Sequence, residues 1–153
     1  MRLLGIKPKQ EYGEPSITLR GEHVRSKAEA IIADWFTRHG VAYQYEPPLK
    51  DGFIIKTTRY KSDFLLPEYR AYVEYWGLAF TERNYARKMK EKTDYYRRHG
   101  YRLISIYPNN LSDLSRLLTP ELASLSAHCT QCGLMLKPTD AYCGHCGARK
   151  VLS

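Results

Sequence analysis

Lys61-Ser62-Asp63-Phe64-Leu65-Leu66-Pro67-Glu68-Tyr69-Arg70-Ala71-Tyr72-Val73-Glu74-Tyr75-Trp76 reads as two strands joined by a tight reversal. Apolar and aromatic residues fill both arms, and Pro67 opens the turn. A reversal centred on Glu68 and Tyr69 pairs Leu66 with Ala71 and, counting back, Asp63 with Glu74. Directly opposed residues share one face of a sheet with Cβ atoms about 4.5–5.5 Å apart, where like charges destabilise. Two readings compete for this pair. Carboxylates usually stay solvated, so an edge hairpin with surface charge is the plain one. The other is a cation site, because hard oxygen ligands on rigid strands suit Mg²⁺ or Mn²⁺.

Working outward, the chain predicts an irregular arm over residues 1–22, with one short strand at 16–19. A helix is predicted from His23 to His39, because Val24, Ala28, Ile31, Ile32, Trp35 and Phe36 recur at helical spacing before Gly40. Ser26 is a cap inside its start. Strands follow at 41–45 and 53–58, then the hairpin. A second helix spans 81–99, capped by Thr81 and stopped by Gly100. Residues 101–107 form an apolar strand and 111–118 a last helix. The order predicts an α/β body over 23–118, with a mixed central sheet flanked by helices. A linker over 119–127, around Thr119 and Pro120, leads to a cysteine-bearing module over 128–153.

Composition narrows the partners. At 153 residues there is room for one core and a small appendage. The net charge of +8 favours a polyanion, nucleic acid before an anionic membrane surface. No stretch has transmembrane length, and the apolar opening is interrupted at Lys7 and Pro8, so an intracellular, cytoplasmic protein is expected. Arg83, Arg87, Lys88, Lys90, Arg97 and Arg98 decorate the second helix, and Arg149 and Lys150 end the chain's last module. With Tyr95 and Tyr96 interleaved, phosphate contact and base stacking compete with an ordinary solvated helix face. No glycine-rich phosphate loop follows a strand, which leaves nucleotide hydrolysis unsupported.

Two further charges sit where burial is expected. Glu29 precedes Ile32, Ala33 and Phe36 at helical spacing, so it lies along or beside the buried stripe. Tyr85, Met89, Lys92, Tyr96 and His99 align on the second helix, which directs Lys92 at the sheet and leaves Lys88 one turn earlier, towards the edge. Both residues either snorkel from a rim or complete a set of three acids and one lysine. Such a set suits phosphodiester hydrolysis: carboxylates hold a metal that generates hydroxide, and a lysine orients the water or stabilises the oxyanion. Asp63, Glu74 and the backbone carbonyl of Tyr75 would hold Mg²⁺ (or Mn²⁺), Glu29 would act through water or a second cation, and Lys92 would be the cationic partner.

Cys129-Thr-Gln-Cys132 and Cys143-Gly-His-Cys146 are two Cys-x-x-Cys pairs, each followed by a glycine. Thiolates at this spacing close a tetrahedral Zn²⁺ site, with no ligand position left open, so the metal would be structural. A redox pair is the competing use, but two pairs in so short a segment favour metal. His128 and His145 are then bystanders. The segment resembles a zinc ribbon.

Arg25-Ser26-Lys27-Ala28-Glu29, Lys61-Ser62-Asp63-Phe64, Val73-Glu74-Tyr75-Trp76-Gly77 and the helix from Tyr85 to Tyr96 together resemble the PD-(D/E)XK nuclease superfamily. The resemblance covers roughly residues 23–118 and implies a restriction-endonuclease-like fold and Mg²⁺-dependent cleavage of nucleic acid. The lysine it implies two residues after Glu74 is Trp76 here, and Ser62 stands where a proline often precedes the Asp. Lys92, or Lys88, looks like that lysine moved to the following helix, as in some branches. The expected activity is a DNA endonuclease assisted by the ribbon; an RNA nuclease and a non-catalytic nucleic-acid-binding or assembly subunit are the alternatives. One site per chain and two strands to cut favour a homodimer or a larger repair or recombination assembly.

Overall fold

A computed structural model of the chain describes residues 13–47, 61–77 and 83–151. The strand expected at 53–58 and the cap expected at Thr81 lie outside them, as do residues 1–12 of the arm. Strands β1 (Ser16–Ile17) and β2 (His23–Val24) pair antiparallel. The first helix therefore starts later than its periodicity suggested: α1 is Lys27–Arg38, because Val24 is buried as a strand residue. Ser26 is the N-cap, with extended backbone and its Oγ accepting the Glu29 amide at 3.1 Å. Gly40 ends the helix at φ 64°, a conformation glycine takes without strain.

The main sheet has four strands in the order β3 (Gln44–Tyr45), β4 (Phe64–Leu66), β5 (Ala71–Tyr75) and β6 (Arg102–Ile106). The first two pairings are antiparallel and the last is parallel, so the sheet is mixed. Helix α2 (Arg83–Arg98) makes the crossover between β5 and β6. The hairpin has the register read from its turn: Leu66 opposes Ala71 and Phe64 opposes Val73.

Period-two alternation then sorts the layers. Phe64, Leu66, Ala71, Val73, Ile104 and Ile106 enter one core with Ala28, Ile32 and Phe36 of α1. The same core receives Leu114, Leu118 and Leu122 of α3 (Leu114–Ser124). Tyr72 enters a separate cluster with Tyr95 and Tyr96 of α2. Pro120, expected in a linker, lies inside α3, and the helix runs to Ser124. Proline has no N–H to give the carbonyl four residues back, but burial of Leu118 and Leu122 on either side holds the helix together.

The cysteine module carries β7 (Ala127–His128) paired with β8 (Met135–Leu136), and a bridge between Tyr142 and Arg149. It docks on the hairpin turn. Thr139 Oγ1 donates to the Glu68 carbonyl at 3.1 Å, and Lys137 forms an ion pair with the Glu68 carboxylate.

Candidate functional site

Asp63 and Glu74 lie together at the open end of the hairpin, on the face that meets α2. Both are buried, at 8% and 2% exposure. Asp63 sits just before β4, and its Oδ2 accepts the Tyr75 amide at 2.7 Å. Tyr75 thus reaches Asp63 through its N–H, whereas the expected role used its carbonyl. The two carboxyl groups are near enough for the Glu74 charge to act on Asp63. Lys92 completes the arrangement from α2, with Nζ 2.7 and 2.8 Å from the two Glu74 oxygens and 2.6 Å from the Lys61 carbonyl. One turn later the Tyr96 hydroxyl donates to Glu74 Oε1 at 2.5 Å.

These contacts explain the acid–base state of the pair. Burial above all, and then the Glu74 charge, push Asp63 up to about 7; the Tyr75 amide, Lys92 and Arg25 pull the other way. Burial also raises Glu74, against the opposing effects of Lys92, Tyr96 and Asp63. Two buried carboxyl groups whose charges act on each other do not both ionise freely.

A stability consequence follows from the direction of the Asp63 shift. An unfolded Asp loses its proton near pH 3.9, whereas the folded one keeps it to about pH 7, so the native state binds the extra proton between those values. The group's contribution is complete below the unfolded value and is lost as pH rises through 7. Asp63→Asn, which can still accept from the Tyr75 amide and carries no charge, should be more stable than wild type at pH 8, by on the order of 3 kcal/mol, and nearly equal at pH 4. Urea titrations at the two pH values without added divalent cation test this; equal stability at pH 8 would mean that Asp63 ionises in the fold without penalty.

A cleft of about 520 Å³ opens on the pair, lined also by Trp76, Tyr85, Lys88 and Met89. Lys92 is the lysine bound to the acids; Lys88 is exposed at the cleft wall. Trp76, at the position of the expected lysine, is buried, and its indole N–H has no partner among the described residues.

Glu29 is buried as its position on α1 suggested, but it does not join the carboxyl pair closely. Helix α1 packs on the opposite face of the sheet from α2. Glu29 Oε2 accepts from the Tyr45 hydroxyl at 2.7 Å and the Arg25 amide at 3.0 Å. Burial raises its pKa, the Tyr45 hydrogen bond lowers it, and the Asp63 charge raises it again.

Among the residues read as nucleic-acid contacts, Arg87 and Lys90 are exposed on α2. Arg97 and Arg98 are exposed too, each bonded to Asp94. Arg83 opens α2, and its side chain lies outside the described residues. Two expectations need correction. Tyr95 and Tyr96 are buried at 8% and 1% in the cluster beneath α2, so neither offers a face for base stacking. Lys150 donates to the carbonyls of Lys137 and Pro138, bracing the cysteine module, while Arg149 is exposed. Tyr96 follows Lys92 by four residues, and that spacing puts its hydroxyl over the same acid. Tyr45 and Arg25 carried no comparable signal.

The four cysteine sulfurs lie within 4.8 Å of one another, the one group of three or more close ligands among the described residues. Amides of Cys132 and Gln131 hold the Cys129 thiol down to about 6, and those of Cys146 and His145 lower Cys143. The Leu134 and Ala148 amides act in the same direction on Cys132 and Cys146, but burial and neighbouring sulfurs raise both instead, so the crowded set holds two favoured thiolates whose number a metal ion would increase. No helix among the described residues is long and apolar enough to cross a membrane.

No family model matches this chain, nor does any curated protein or any solved structure.

Proposed function

We propose that this chain is a divalent-metal-dependent DNA endonuclease with a restriction-endonuclease-like body of the PD-(D/E)XK kind and a structural zinc ribbon. One observation carries the reading: two buried carboxyl groups, Asp63 and Glu74, side by side in an open cleft with Lys92 bonded to one of them. Burying such a pair is costly, and a fold built only for stability would do as well with apolar residues. The donor set fits a hard cation, since every candidate ligand is oxygen and the pair would lose its mutual repulsion against Mg²⁺ or Mn²⁺. Bound there, the metal would supply hydroxide from water and offset charge on the phosphate.

The chain's own residues have separable tasks in this reading. Asp63 and Glu74 would hold the ion, with Asp63 oriented by the Tyr75 amide. Lys92 and Tyr96 keep Glu74 from rotating, and the Lys92 ammonium and the exposed Lys88 line the cleft that a phosphate would enter. Glu29, on the far side, acts through Arg25 and Tyr45 rather than as a direct ligand. The exposed arginines of α2 supply sequence-independent attraction to the backbone of the nucleic acid.

Labelled duplex, single-stranded and branched DNAs, with an RNA control, should be cut by wild type in Mg²⁺ or Mn²⁺. Asp63→Ala should lose at least about a hundredfold, because removing preorganised transition-state electrostatics has that effect. Cleavage that persists in the variant would remove Asp63 from the mechanism. Binding to every substrate without cleavage would leave a non-catalytic nucleic-acid-binding subunit, and cutting of RNA alone would make the chain a ribonuclease.

A further inference from the structure

The carboxyl pair is approached by a second cation besides Lys92. Arg25 lies between β2 and the Ser26 cap, and its guanidinium Nη2 is 4.0 Å from Asp63 Oδ1. Its Nε is paired with Glu46 Oε1 at 2.6 Å. The backbone of Arg25 is fixed as well: its amide donates to Glu29 Oε2 and to the Tyr45 hydroxyl oxygen, both at 3.0 Å.

Glu46 reaches the arginine from an unusual conformation. It has φ 46°, one of two non-glycine residues with positive φ among those described, and its amide donates to the Asp63 carbonyl at 2.9 Å. A left-handed backbone costs a non-glycine residue free energy and persists where its surroundings over-determine it. Here those surroundings are Asp63 on one side and Arg25 on the other. The guanidinium is thus held at two points yet remains 68% exposed, with donors left over from its five N–H groups. An arginine whose only task was to neutralise buried acids would be buried with them. The fork geometry of a guanidinium suits a phosphate.

We propose that Arg25 is a phosphate clamp of this site: it grips a non-bridging oxygen of the DNA backbone next to the bond that is cut, while Glu46 and the Glu29–Tyr45 pair hold it in place. The proposal rests on the nuclease reading and adds a residue from the α1 side. Lys92 stays on Glu74, and Arg25 places the strand against Asp63. Glu46 is a positioning residue, acting only through Arg25.

The test is a binding measurement in a background that cannot cut. Asp63→Asn protein is titrated against fluorescein-labelled duplex DNA at several salt concentrations, with and without Arg25→Ala, Arg25→Lys or Glu46→Gln. Losing one phosphate contact lowers the slope of log K against log salt by about 0.9. Arg25→Ala should show that decrease, and Arg25→Lys should restore most of the slope by keeping the charge. Glu46→Gln should weaken binding less than Arg25→Ala and leave the melting temperature close to its parent's. With Asp63 intact, Arg25→Ala should raise KM for DNA cleavage more than it lowers kcat. An unchanged slope in Arg25→Ala, with the parent still binding DNA, overturns the clamp and leaves the nuclease reading standing. Failure of the parent to bind any DNA overturns both. A loss of melting temperature with the slope unchanged would make Arg25 a structural ion-pair residue only.

Discussion

Withdrawing the metal from the four cysteines should unfold residues 127–150 while the α/β body stays folded. The module has almost no core of its own. Its buried residues are Leu136 and two of the ligands, Cys129 and Cys143, with Ala148 packed against them. A single buried leucine contributes roughly 1.5–3 kcal/mol, against ordering costs of about 1–2 kcal/mol per residue for the whole segment. Structural Zn²⁺ contributes an apparent 10–16 kcal/mol to comparable small domains, so zinc held by these cysteines would outweigh that deficit. The body should notice little. The module is tied to it through Lys137 and Thr139 on Glu68, and exposed ion pairs of that kind contribute about 1 kcal/mol or less. Elemental analysis should find one zinc per chain. Stepwise chelation followed by two-dimensional NMR should then collapse the amide signals of 127–150 alone. Collapse of the whole spectrum would show that the module holds the body together, and no collapse would show that the fold of the module does not depend on metal.

Lys92→Met should destabilise the body by about 3–5 kcal/mol at pH 8, the loss that follows when one partner of a buried ion pair is removed. Glu74 is 2% exposed and both its oxygens are bonded to the ammonium, so the variant would bury a carboxylate with only the Tyr96 hydroxyl and Asp63 for company. The loss should shrink as pH falls, because Glu74 takes up a proton once Lys92 no longer holds its charged form. Adding Glu74→Gln should recover much of the stability, since the charge that lacks a partner is then gone. Urea titrations of the single and double variants at pH 5 and pH 8 give the whole cycle. A loss under 1 kcal/mol at pH 8 would mean that Glu74 is already neutral in the wild type. On the nuclease reading the double variant would be stable and inactive, which separates folding from catalysis at one position.

The site hairpin was legible because turn chemistry and alternation agree. Pro67 opens the turn between two runs of apolar and aromatic residues, so the register that sets Leu66 against Ala71, and by counting back Asp63 against Glu74, needs no tertiary information. The Ser26 cap and the glycine stops were legible for the same local reason. What could not be read is which face of the sheet each helix covers. Along the sequence Glu29 and Lys92 read as one set, yet α1 and α2 pack on opposite faces, and Glu29 is bonded to Arg25 and Tyr45 rather than to the pair. The exposure of Tyr95 and Tyr96 failed likewise: an aromatic on a basic helix looks like a stacking platform until Tyr72 and Tyr101 close over it. Pro120 misled by propensity alone, which burial of the flanking leucines overrides.

Strand β5 is paired along its whole length with β6 and along three residues with β4, and all its residues but Tyr75 are buried. Its amide protons therefore exchange with solvent only when the entire body opens, whereas those at the edge, in β3, exchange through local fraying. Glu74 stands on this slowest-exchanging segment, whereas Asp63 stands one residue before the neighbouring β4. One carboxyl group is thus fixed as firmly as the domain itself, while the other is carried by the residue that leads into β4 and is tied to β5 through the Tyr75 amide.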